Sequence, residues 1–148
     1  MSNERVVIDS KKAPEPVGMY PHARRAGDFL FLSGVGPRVR GQKEIPSGIK
    51  AQCESVFKNI KMILEEAGFK WEDLIDVTVF LTDMKRDFET YNEMYAEYFK
   101  TNKPCRTTVE VNRLPTPIAI ELKCIAAKNQ GAANDTGESS DARNEMKK

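Results

Sequence analysis

The 148-residue chain carries 23 basic and 22 acidic side chains, so its net charge is +1, and its length favours one domain around one core. That balance excludes an electrostatic grip on nucleic acid or on an anionic membrane surface. No window approaches the roughly 18 apolar residues of a membrane span, no secretory signal opens the chain, and three cysteines without a CxxC pair predict reduced thiols in a cytoplasmic protein.

Val6 to Ile8 is a short β-branched run, followed by a turn containing lysine and proline. Ala26-Gly27-Asp28 is a turn signal ahead of the apolar run Phe29 to Ser33. Together they predict a hairpin with one strand near Ala23 and the next over Phe29–Ser33. Gly34, Gly36 and Pro37 end that strand, and a polar loop follows as far as Gly48.

Ser47 is a candidate N-cap for a helix of about five turns. Its apolar residues are Ile49, Cys53, Val56, Phe57, Ile60, Ile63, Leu64 and Ala67, spaced by threes and fours along one face. Gly68 is the stop signal. Ile75 to Leu81 is rich in β-branched residues and reads as a strand. Thr82 or Asp83 caps a second helix running to about Phe99, with a stripe of Phe88, Tyr91, Met94, Tyr95 and Phe99.

Cys105–Val111 and Ile118–Ala127 read as two further strands, and the two prolines of Leu114-Pro115-Thr116-Pro117 make their connection a loop. From Lys128 to Lys148 the chain has no aromatic or branched aliphatic residue. Such a segment cannot bury enough apolar surface to offset its ordering entropy, so residues 128–148 are expected to form a disordered polar tail behind a domain of residues 1–127. The order β-β-α-β-α-β-β predicts an α+β sandwich, a mixed sheet with two helices on one face. Its strands are apolar on more than one side, which calls for a partner subunit on the other face.

The strongest chemical cluster is Cys105-Arg106-Thr107-Thr108-Val109-Glu110-Val111, read as paired with the strand that holds Glu121. A guanidinium grips a carboxylate with a rigid fork, and a carboxylate across the site can orient water. An ordinary cross-strand ion pair fits the same residues. His22, the only histidine, could move a proton or simply occupy an irregular strand. Arg24 and Arg25 should point to opposite faces, so that one could enter a cleft, although two solvated charges would read the same. Tyr20 could donate a hydrogen bond or merely pack. The aromatic stripe reads as core. No metal-ligand spacing, P-loop or GxGxxG is present, so neither a metal nor a cofactor is expected.

The segments Gly18-Met19-Tyr20, Phe31-Leu32-Ser33-Gly34, Tyr91-Asn92-Glu93-Met94-Tyr95 and Arg106-Thr107-Thr108-Val109-Glu110-Val111 resemble the landmarks of the RidA (YjgF) family. So does Arg113-Leu114-Pro115 followed by Ile120-Glu121. The resemblance implies a chorismate-mutase-like fold assembled as a homotrimer, with clefts between subunits that hydrolyse enamine or imine acids to keto acids and ammonia. It implies that Arg106 binds the substrate carboxylate and that Tyr20, Ser33 and Glu121 line the cleft, with Glu121 holding the attacking water and Asn92 close by.

Two departures stand out: Thr108 replaces a common cysteine, and Pro21-His22 replaces the usual Ser-Gln. The segment from Tyr20 to Asp28 looks like that of 2-aminomuconate deaminases, which form 4-oxalocrotonate and ammonia in aromatic catabolism. That diacid would suit a second cationic anchor at Arg24 or Arg25, with His22 handling a proton. Two alternatives are a general RidA-type enzyme acting on 2-iminobutanoate and 2-iminopropanoate, and a non-catalytic ligand-binding or chaperone-like trimer.

Overall fold

The computed structural model describes residues 6–128. The elements run β1 (Val7–Ile8), β2 (Ala23–Ala26), β3 (Phe29–Leu32), α1 (Ile49–Glu66), β4 (Leu74–Leu81), α2 (Met84–Tyr98), β5 (Cys105–Glu110) and β6 (Ile120–Ala127). The strands form one sheet in the order β1, β2, β3, β6, β4, β5. Every pair is antiparallel except β4 with β5. The predicted α+β class, mixed sheet and two helices are all present. The Val6–Ile8 run adds a short edge strand, with Val7 opposite Arg24 and Ile8 opposite Ala23.

Strand order differs from the expectation in one way that matters for the site. β5 and β6 are not partners, because β4 lies between them. The helix α2 returns the chain to the same direction, so β5 joins β4 in parallel at the sheet edge. Its residues are mostly exposed, as an edge allows. The better-buried β6 takes the interior, with Ile120, Leu122, Cys124 and Ala126 fully inside.

Alternation along the strands divides the sheet into two faces. Leu30, Leu32, Val77, Val79, Leu81, Ile120 and Leu122 join the helix residues Val56, Phe57, Ile60 and Tyr91 in one core. Each large apolar side chain buried this way contributes about 1.5–3 kcal/mol. Phe29 and Phe31 are left exposed at 45% and 41% on β3, whose inward residues Leu30 and Leu32 join that core, and Val109 at 37% on the edge strand β5. Phe88 also leaves the predicted stripe, since it is 36% exposed while Tyr91 is fully buried.

The helix ends follow local chemistry. Gly48, at φ 88°, caps α1 in place of the expected Ser47, without a side-chain bond. At the other end Gly68 N–H donates to Glu65 O and Phe69 N–H to Leu64 O, with Gly68 at φ 80°. This is a Schellman closure, which requires the left-handed residue that glycine supplies. Asp83 caps α2, its carboxylate accepting from Arg86 N–H. The proposed tail lies outside the described residues except for Lys128. That residue is held in the fold, its N–H donating to Asp28 O at 2.8 Å and its ammonium 4.8 Å from the centre of the Phe69 ring.

Candidate active site

After β3 the chain bends onto β6, where Val35 and Leu122 exchange backbone bonds of 2.8 and 2.9 Å. That crossing sets Gly34 against the Glu121 side chain so closely that any Cβ at Gly34 would overlap the carboxylate. With the carboxylate in this position, only glycine leaves it room. Beside this contact opens a cleft of about 390 Å³ whose walls include Tyr20, Ser33, Gly34, Arg38, Pro115 and Glu121. Its size falls in the range of small-molecule sites.

Glu121 is half-buried and makes no hydrogen bond or ion pair among the described residues. Burial pushes its carboxyl above the ordinary carboxylate value, because desolvation disfavours the charged form. Tyr20 accepts a bond from Val17 N–H at 3.1 Å, which fixes the phenol oxygen and leaves its O–H to donate. Ser33 Oγ donates to Pro21 O at 2.7 Å and keeps its lone pairs for a ligand. Three of the sequence-predicted residues thus meet at one cleft.

Arg106 stands elsewhere. Its Nη1 donates to Asn92 Oδ1 at 2.8 Å, and its guanidinium lies 5.4 Å from the Tyr91 ring centre and 4.7 Å from that of Tyr95. Stacking and one amide bond orient the fork without neutralising it. Among the described residues no carboxylate pairs with it. Asn92 therefore acts on Arg106 as a positioning residue. Thr108, on the same side, shares a 2.8 Å bond with the Tyr91 hydroxyl. Burial raises the titration of both tyrosines, so their phenols stay neutral.

The expected adjacency of Arg106 and Glu121 is corrected by the register. Arg106 lies opposite the core residue Val77, whereas Glu121 lies opposite Phe80, which faces away from the core. The two side chains leave opposite faces of the sheet with β4 between their strands. No ion pair joins them, and one small ligand cannot touch both within one chain.

His22 is buried, and both ring nitrogens are engaged. Nδ1 accepts from Ser10 N–H at 2.9 Å and Nε2 donates to Pro14 O at 2.7 Å, a pattern that defines the neutral ring with its hydrogen on Nε2. The ring braces the 10–14 segment, and His22 and Pro14 line a smaller hollow that shares Tyr20, Ser33 and Gly34 with the cleft. Arg24 is exposed opposite Phe31. Arg25 donates to Gly27 O at 2.9 Å and stacks 5.3 Å from the Phe69 ring centre. Neither lines the cleft. The residues that sequence reasoning passed over are Gly34 and Arg38. The Gly34-Val35-Gly36-Pro37 run before Arg38 was the available signal.

Among the described residues no cluster of His, Cys, Asp and Glu could hold a metal ion, and no helix is long and apolar enough to cross a membrane. Residues 10–128 match the family described as Endoribonuclease L-PSP. A RutC family protein of Pyrococcus horikoshii is 50% identical over 123 residues, covering 82% of this chain and 97% of its own. The chloroplastic Reactive Intermediate Deaminase A of Arabidopsis thaliana is 37% identical over 126 residues, covering 84% of this chain and 67% of its own. Among solved structures, that of E. coli TdcF with bound serine aligns with a TM-score of 0.79 at 34% identity, across 84% of this chain and 100% of that one.

Proposed function

From its place in the Endoribonuclease L-PSP family, to which this chain belongs, we propose that it hydrolyses small enamine or imine acids to keto acids and ammonia. The observation that carries the reading is Glu121, a half-buried carboxyl without a partner, raised in pKa and facing a cleft with Tyr20 and Ser33. A relative named as a reactive-intermediate deaminase supports the reaction class. A relative holding serine supports a ligand of amino-acid size.

The chemistry follows from those groups. An enamine first takes a proton at carbon and becomes an imine. Water held by the Glu121 carboxylate then adds to the imine carbon, and Glu121 takes up the proton that water loses. Collapse of the carbinolamine releases ammonia once its nitrogen is protonated. A carboxyl raised above its usual value is suited to shuttling that proton. Arg106 of a neighbouring copy holds the carboxylate next to the reacting carbon, in clefts shared around a homotrimer. The opposite facing of Arg106 and Glu121 favours that shared arrangement over a site within one chain.

The narrower substrate, 2-aminomuconate, rests on the Tyr20–Asp28 segment. The names of the relatives favour the broader imine-acid reading. The family's description as an endoribonuclease names a different chemistry, for which the engaged ring nitrogens of His22 leave no free histidine base. The test is ammonia release from freshly generated 2-iminobutanoate and 2-aminomuconate, with Glu121→Gln as the control. Acceleration over buffer that disappears in the variant is expected, and no acceleration of either compound overturns the proposal.

A further inference from the structure

We infer that Arg38 is a second anion-binding residue of the cleft and selects substrates bearing a carboxylate remote from the reacting carbon. This rests on the cleft being the deaminase site proposed above. Arg38 shares the cleft wall with Tyr20, Ser33, Gly34 and Glu121. A guanidinium carries five N–H donors, and one is engaged here, Nη2 to the Glu15 carbonyl at 2.6 Å. A carbonyl orients the side chain but does not cancel its charge. The Glu15 carboxylate is taken instead by Arg40, at 3.2 Å. Among the described residues no carboxylate pairs with Arg38.

The contrast with Arg40 separates a brace from a binding group. Arg40 also donates to Ala13 O at 2.7 Å and Ser10 O at 3.0 Å, so its donors are turned into the fold. Arg38 has donors left over, and its backbone is clamped to α1. Ser55 Oγ donates to Pro37 O at 2.7 Å, while Asn59 Nδ2 donates to Gly36 O at 3.0 Å and Arg38 O at 2.8 Å. A charged fork on a fixed backbone is preorganised for an anion and loses little entropy on binding one. Arg24 and Arg25, the cations first considered for this role, lack that placement.

A cleft that holds both Glu121 and Arg38, and takes Arg106 from a neighbouring copy, offers two cationic forks to one ligand and so suits a diacid. The contact with the remote carboxylate exists before and after the chemical step. Its loss therefore appears in KM more than in kcat.

Two stable acids of the same length separate this from general anion binding. Muconate (hexa-2,4-dienedioate) has a carboxylate at both ends, and sorbate (hexa-2,4-dienoate) has a methyl group at one. Calorimetric titration of the full chain is expected to show muconate binding more tightly than sorbate. Arg38→Gln should weaken muconate by about tenfold or more, the usual scale for one charge-assisted contact. Sorbate should move by less than about twofold, and Arg38→Lys should keep part of the preference.

Equal losses for both acids, or an unchanged ratio, overturn the inference. So does a native protein without preference for muconate, whether or not the variants fold. Ammonia release from 2-iminobutanoate by the native protein reports on the deaminase reading separately.

Discussion

Arg106 and Glu121 point away from each other through the sheet, one beside the core residue Val77 and the other beside Phe80. If they act on one substrate, each cleft takes its arginine from one copy and its glutamate from another. Arg106→Ala and Glu121→Gln should each be inactive alone. Mixing them in equal amounts, after dissociation and reassembly, should restore about a quarter of native activity, since half of the chains supply each intact group. Ammonia release before and after mixing checks this. No recovery from properly assembled mixtures would place both residues' roles within single chains.

Glu121 also ties stability to pH. Burial raises its carboxyl, so the folded protein binds a proton that the unfolded chain has already released. Stability therefore falls as pH rises from the ordinary carboxylate value through the raised one. Glu121→Gln removes that cost. The variant should melt higher than the native protein at neutral pH, and the gap should close below the ordinary carboxylate range. Its turnover should drop by about a hundredfold or more. Thermal melts across pH, paired with kinetics, check both, and a variant melting lower at neutral pH contradicts the first.

Gly34→Ala is a probe of position alone. The new methyl would overlap the Glu121 carboxylate, a flexible side chain that can swing aside. The expected outcome is a folded protein with near-native melting and a kcat lowered by about tenfold or more, the scale of a misplaced catalytic group. Unchanged turnover would mean that the carboxylate's present position is not the working one.

His22→Ala removes two buried hydrogen bonds and leaves Ser10 N–H and Pro14 O without partners. A loss of about 1–3 kcal/mol is expected, measured by denaturant unfolding. If the ring serves as a brace, a substrate that saturates the variant should still turn over within about threefold of the native rate. A collapse of kcat in a stably folded variant would return His22 to proton transfer.

Much of this arrangement was legible in the sequence. The α1 stripe from Ile49 to Ala67, the Gly68 stop and the Ala26-Gly27-Asp28 turn are local signals, and local signals fixed those elements. Strand order was not legible in the same way. Nothing in Cys105–Glu110 or Ile120–Ala127 states that β4 will lie between them, because pairing is decided by which strand buries more. Ile120, Leu122 and Cys124 settle that only once the helices are in place. Tyr20 and Glu121 stood out by their chemistry, Ser33 through motif resemblance, and the three do share a cleft. Arg38 was overlooked because loop residues carry no periodicity, and its significance depends on Arg40 having taken the nearby carboxylate. The two partners of His22 were hidden for a similar reason, since both are backbone groups that no side-chain motif reveals.

β5, the strand that carries Arg106, is bonded to the sheet along one side only. Its other side carries a row of backbone donors and acceptors left unpaired among the described residues, beside the exposed Val109. Arg106, Thr107 and Glu110 place polar and charged groups along that row, which discourages a stray strand from adding to it. A freshly translated chain must keep this seam clear of stray strands. Substitutions that trade those side chains for apolar ones should therefore first show as protein lost to inclusion bodies during synthesis, before any defect in turnover can be measured.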